Sequence, residues 1–230
     1  MADVRTHHVK VNKTARYSML GPGPGDGLGI LFALHGYGQL APYFIQKFAA
    51  IAESGWTVVA PEGGHRFYLK GTEGRVGASW MTREDRLTDI ADLVSMLDEV
   101  HRDVLSLIAE NATDEPKPVC PLVLLGFSQG VPAALRWAAM GHCSFDRIIG
   151  HSGVFPSDIP EGRDPKGGWP KVDMLIGDAD PYVIGRVGNF QVDFPVDLTD
   201  RSGIAHTVHT FKGGHDIDVP SVMALLEKAT

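Results

Sequence analysis

"PLVLLGFSQGVPAALRWAAMG", residues 121–141, decides how the chain is read. An apolar run, Leu122 to Leu125, stops at Gly126-Phe127-Ser128-Gln129-Gly130. A helical segment, 131–140, follows at once and is closed by Gly141. A short unbroken apolar run suits a strand covered on both faces, as in a parallel sheet. A Gly-x-Ser-x-Gly turn between strand and helix forces a sharp, strained bend. Its glycines remove side chains that would collide across the bend, and its serine hydroxyl projects above the sheet. The new helix N-terminus beneath it offers free N–H groups and a positive dipole end to a developing negative charge. Pro132 falls in the first helical turn, where its missing N–H costs little.

Working outward, the same strand-into-loop pattern recurs in "GILFALHG" (29–36), "WTVVAPEGG" (56–64), "RIIGHSG" (147–153), "KVDMLIGDADP" (171–181) and "HTVHTFKGGH" (206–215). Helices are expected over 41–53, with Pro42 in the first turn, and over 219–229. A long helix is expected from near Thr82, with Thr82 and Asp85 spaced as a capping box. Ile90, Leu93, Val94, Leu97, Val100, Val104, Leu107 and Ile108 form its apolar stripe. The opening, with Val9 and Val11 against His8, Lys10 and Asn12, leans toward β-structure. The Gly-rich segment 21–29 lacks the Gly-Lys-Ser/Thr ending of a phosphate loop and reads as a turn. Residues 65–80 read as a loop.

The alternation predicts an α/β fold, a single domain over 1–230. Its central sheet should be mostly parallel, with helices on both faces and no large cap domain. Ligands of such sheets bind beyond the carboxyl ends of the strands. The loops after Leu34, Leu125, Gly150, Ile176 and Phe211 should therefore meet along one edge. They carry His35-Gly36-Tyr37, Ser128, Ser152, Asp178 with Asp180, and His215.

A formal net charge of −7, with basic residues scattered, argues against a nucleic-acid partner. No run of about 18 apolar residues is present, so no membrane span is expected. The N-terminus has no apolar signal region, so a cytoplasmic location is expected. Cys120 and Cys143 read as small buried thiols in a reducing compartment, with a disulfide or a reactive thiol as the alternative. His7-His8 and the other histidines lack ligand spacing, so no metal is expected. A homodimer stays open.

A serine hydroxyl needs a base to take its proton. Among ten histidines, His101 lies mid-helix and His142 at a helix end, in solvent or capping roles. His206 and His209 fall on opposite faces of one strand. His215 follows that strand and Gly213-Gly214, at the carboxyl edge. The imidazole needs an acid to fix its tautomer and stabilise its charge. Asp178 and Asp180 both qualify, and either could instead be a turn residue bonding local backbone. Asp180 is preferred because it stands just before Pro181, where the chain can fold back toward His215. Backbone N–H groups of Gln129 and Tyr37 would form an oxyanion site. His35 reads as a loop-shaping residue. Ser152, in "GHSGV", has no glycine at its fifth position and no helix after it, so it reads as a pocket or structural residue. Phe67, Tyr68 and Trp80 either line the pocket or pack.

Taken together, "LHGYGQ", "GFSQG", "GHSGVFP", "GDADPYV" and "GGH", in this order, resemble the phospholipase/carboxylesterase family of small α/β-hydrolases, which includes the acyl-protein thioesterases. The resemblance runs from about residue 28 to the C-terminus. It implies Ser128 as nucleophile, Asp180 as acid and His215 as base, with Tyr37 and Gln129 N–H groups at the oxyanion. It also implies no cofactor, and a small-molecule ester or thioester as substrate. The chain departs from the family at Val131-Pro132, where a second glycine is common, which implies a narrower space behind the nucleophile. Residues 187–203 carry little helical period where the family has a helix. Other readings are a non-catalytic binding protein on the same scaffold, or a serine peptidase or acyltransferase.

Overall fold

Strands apolar at every position need cover on both faces, and the structure supplies it. In this computed structural model, residues 3–110, 120–159, 164–165, 167–184 and 203–229 are described. The expected break over 187–203 lies, but for its last residue, outside them.

Seven strands form one sheet: β1 (Tyr17–Leu20), β2 (Gly29–Leu34), β3 (Trp56–Pro61), β6 (Leu122–Phe127), β7 (Arg147–His151), β8 (Lys171–Gly177) and β9 (Thr207–Phe211). Their order is β1-β3-β2-β6-β7-β8-β9. All pairings are parallel except β1 with β3, which is antiparallel at the edge. Every residue of β2 is buried, and its side chains divide by period two. Ile30, Phe32 and Leu34 join one core with α3 (Arg86–Glu110) and α4 (Gly130–Met140). Leu31 and Ala33 join a second core with α1 (Ala41–Phe44), α2 (Ala49–Glu53) and α6 (Val219–Leu226). Trp137 of α4 is fully buried against Phe32 and Phe145, and its indole N–H donates to Asp98 at 2.8 Å.

Several expectations are corrected. Residues 3–16 form no strand and are exposed, because Val4, Val9 and Val11 find no apolar face to join. The 41–53 helix is broken by a 3₁₀ turn over Ile45–Phe48. The long helix begins at Arg86 rather than near Thr82. Asp85, at φ 47°, occupies the turn before it, and its carbonyl takes the N–H groups of Thr88 and Asp89. Residues 65–80 are largely an antiparallel hairpin, β4 (His65–Tyr68) with β5 (Val76–Ser79). His101 is half-buried against Phe32 and Trp137 rather than solvent-facing. Cys143 is buried beside Asp98, while Cys120 is only half-buried. Among the described residues no helix is long and apolar enough to cross a membrane.

Candidate active site

Ser128 stands between β6 and α4 with φ 53°, a conformation that L-residues other than glycine seldom adopt. Backbone contact explains why glycines surround it. A Cβ on Gly126 would lie 2.6 Å from Val131 Cα, and one on Gly130 would lie 2.8 Å from the Leu34 carbonyl carbon. The bend is held by the Ser128 N–H donating to the His151 carbonyl at 2.9 Å, and by the Val131 N–H donating to the Ser128 carbonyl at 3.1 Å. Val131 is fully buried and fills the space beneath Gly153, where a Cβ would meet its side chain and, at 2.6 Å, the Ser128 carbonyl oxygen.

His215 reaches Ser128 across 87 residues of sequence: its Nε2 lies 3.0 Å from Ser128 Oγ. Its Nδ1 lies 2.8 Å from Asp180 Oδ2. The Nδ1 hydrogen donates to the carboxylate, which leaves Nε2 free to accept from the serine hydroxyl. Asp180 is fully buried, and its other oxygen takes the Tyr182 N–H at 3.0 Å. Asp178 does local work instead: its carboxylate holds the Gly213 N–H at 3.0 Å, and its own N–H donates to the Phe211 carbonyl. The two loops fit closely, because a Cβ on Gly177 would lie 2.5 Å from the Gly213 carbonyl oxygen.

The loop after β2 is equally constrained. Gly36 N–H donates to Gln39 Oε1 at 2.8 Å, Gly38 N–H to the Ala78 carbonyl at 2.8 Å, and Gln39 N–H to the Gly36 carbonyl at 3.2 Å. Among the described residues no acceptor is paired with the N–H of Tyr37 or of Gln129. His35 shapes this loop from within the core. Its Nε2 accepts the Gly63 N–H at 2.9 Å, so Nδ1 carries the proton and donates to the Gly36 carbonyl at 2.8 Å. Burial lowers its pKa to about 4, against the opposing influence of the Gly36 carbonyl and the nearby Glu62.

The four residues read as pocket lining part company. Phe67 stacks on Tyr37 at 5.1 Å between centroids, while Tyr68, next along the strand, is half-exposed on the other face. Trp80 and Ser152 are buried. Trp80 stacks on His35 at 4.7 Å and donates its indole N–H to the His35 carbonyl at 2.7 Å. Ser152 takes φ 51°, and its hydroxyl lies 3.2 Å from His151 Nδ1.

Sequence reasoning missed three contributors. The Gln129 side chain ties the bend to the end of β5, donating to Ser79 Oγ at 3.0 Å and to the Met81 carbonyl at 3.1 Å. His151, fully buried, accepts the Asp218 N–H at Nε2 and so anchors the segment that follows His215. Burial pushes its pKa down to about 4. Tyr182 packs its ring on His215. It stood in the quoted "GDADPYV" with no role assigned, and its place beside the acid was the available signal.

No protein-family model matches the chain, and no curated protein matches its sequence. Solved structures do. Esterase PE8 is 24% identical with a TM-score of 0.64, over 95% of this chain and 100% of that one. A Bacillus cereus carboxylesterase is 17% identical with a TM-score of 0.61, over 95% and 96%. Acyl-protein thioesterase 2 of Zea mays is 16% identical with a TM-score of 0.57, over 94% and 97%. This is the α/β-hydrolase fold. At such identities the likeness is one of architecture, and function has to be argued from the site. In this α/β-hydrolase fold the bend carrying Ser128, the turn carrying Asp180 and the loop carrying His215 all open at the carboxyl ends of their strands.

Proposed function

We propose that this chain is a serine hydrolase that cleaves carboxylic esters or thioesters through an acyl-enzyme. The observation that carries the reading is the relay itself, His215 Nε2 at 3.0 Å from Ser128 Oγ and His215 Nδ1 at 2.8 Å from the buried Asp180. His215 accepts the hydroxyl proton as Ser128 Oγ attacks the carbonyl carbon. Asp180 fixes the tautomer and stabilises the imidazolium without itself taking the proton. The tetrahedral oxyanion is held by the N–H groups of Tyr37 and Gln129, which have no other acceptor among the described residues. Removing one such donor costs a reaction about 3 kcal/mol of transition-state stabilisation. His215 then passes its proton to the leaving alcohol or thiol. Water, activated by the same imidazole, releases the acid and restores Ser128.

The resemblance and the fold of the esterase and thioesterase neighbours support the choice of ester or thioester. The test is a panel of p-nitrophenyl esters, acyl thioesters and amides, with water and alcohol as acceptors, run beside labelling by a fluorophosphonate probe. Ester or thioester turnover with labelling of Ser128 is expected. Turnover of amides alone, or transfer to alcohol in preference to water, would replace the reading with a peptidase or an acyltransferase. Absence of both turnover and labelling would leave a binding protein.

A further inference from the structure

The imidazole of His215 has two aromatic rings for neighbours. Phe127, the last residue of β6, is buried, with its centroid 5.0 Å from that of His215 and a 42° angle between planes. Tyr182, in the short turn of helix α5 (Pro181–Ile184), lies 4.5 Å away at 52°. Core packing accounts for Phe127. It does not account for Tyr182, which is 66% exposed and whose hydroxyl has no hydrogen-bond partner among the described residues. Yet Tyr182 touches both Asp180 and His215 of the relay. Its backbone N–H holds Asp180 Oδ1 at 3.0 Å while Asp180 Oδ2 takes the imidazole Nδ1–H, and its ring lies against that same imidazole.

We propose that Tyr182 is a positioning residue for the relay, its ring and that of Phe127 holding the His215 imidazole with Nε2 directed at Ser128 Oγ. The proposal rests on the serine-hydrolase reading above. Two physical effects follow from the placement. A ring packed against the imidazole removes rotamers in which Nε2 swings away from Ser128, which keeps the proton acceptor in reach. When His215 takes the serine proton it becomes a cation, and the electron-rich faces of neighbouring aromatic rings attract a cation more than a neutral imidazole. That attraction grows as the transition state forms, so it raises kcat rather than lowering KM. Neither effect uses the phenol oxygen.

The experiment measures steady-state hydrolysis of p-nitrophenyl acetate and the rate of fluorophosphonate labelling. The full chain is compared with Tyr182→Phe, Tyr182→Leu and Tyr182→Ala, with Ser128→Ala as control. Tyr182→Phe should keep kcat within about twofold of wild type, since the ring remains. Tyr182→Leu and Tyr182→Ala should lose roughly fivefold to thirtyfold in kcat, about 1–2 kcal/mol at about 1.36 kcal/mol per tenfold, with KM little changed. The melting midpoint should not move, because the side chain is exposed. An unchanged kcat in Tyr182→Ala would overturn the proposal. So would an equal loss in Tyr182→Phe carried by KM, which would mean that the hydroxyl touches substrate instead. If wild type neither turns over nor labels, the underlying reading fails together with the proposal, and that result differs from labelling that is insensitive to Tyr182.

Discussion

Gly126 and Gly130 meet backbone to backbone: a methyl group on Gly126 would lie 2.5 Å from the Gly130 carbonyl carbon. No rotamer change relieves such a clash, since the obstructing atoms are main chain. Gly126→Ala is therefore expected to cost about 3 kcal/mol of stability and to displace the Ser128 bend. Gly71→Ala, at φ +59° but with open space around it, should cost only about 1 kcal/mol of backbone strain. Urea unfolding midpoints compare the two, and equal losses would mean that the Gly126 contact is not under constraint.

The two aspartates of the turn after β8 should behave differently. Asp180→Asn removes the charge facing the imidazole and lets the wrong tautomer form, so kcat should fall on the order of 10⁴-fold. Asp178→Asn weakens one hydrogen bond to the Gly213 N–H, worth about 1 kcal/mol, and kcat should stay within about tenfold of wild type. Ester kinetics on both variants decide whether the preference for Asp180 is right.

Side chains at the two N–H donors should also separate. Tyr37→Ala loses a stack on Phe67 worth about 1 kcal/mol and keeps its backbone donor, so kcat should drop by less than about tenfold. Gln129→Ala takes away the acceptor of the Trp80 N–H and the amide bonds to Ser79 and the Met81 carbonyl, at about 1–3 kcal/mol of stability, and loosens the bend. It should reduce both kcat and the urea midpoint, while Tyr37→Ala should lower the midpoint less.

Stability should decline below neutral pH because of two buried histidines. His35 and His151 have folded pKa values lowered to about 4 by burial, while the unfolded chain protonates them at about 6.5. Protons then bind the unfolded chain preferentially. The contribution is complete above about pH 6.5 and is lost as pH falls toward about 4, at about 3 kcal/mol for each residue. Each uses one nitrogen as an acceptor of a backbone N–H, so protonation also breaks the Gly63 or the Asp218 bond. Urea midpoints measured from pH 8 to 4 should fall through this window. A flat profile would contradict neutral buried imidazoles.

The parts legible in the sequence are those where one residue type answers one local need. Unbroken apolar runs marked the central parallel strands β2 and β6, because strands buried on both faces cannot alternate, whereas β9 at the sheet edge carries Thr207, His209 and Thr210. The bend at Ser128 was legible because backbone crowding admits only glycine on either side. Asp180 could be preferred but not separated from Asp178, since both satisfy turn chemistry and only the path of the chain distinguishes them. The β4-β5 hairpin was missed. Its strands are four residues each, and Gly71, Gly74 and Gly77 made the segment read as a loop. Trp80 could not be placed, since a tryptophan suits a pocket and a core equally. The Asp85 turn deceived for another reason: Thr82 and Asp85 have capping-box spacing, but Asp85 occupies the turn and the helix starts after it.

The central claim is that the Ser128 hydroxyl, its proton held by His215, is the nucleophile. Ester turnover by wild type and Ser128→Ala, at matched concentration and with folding checked by circular dichroism, tests it most directly. The account predicts a loss on the order of 10⁵–10⁶-fold in kcat with the fold unchanged. Equal rates in the two proteins would contradict it.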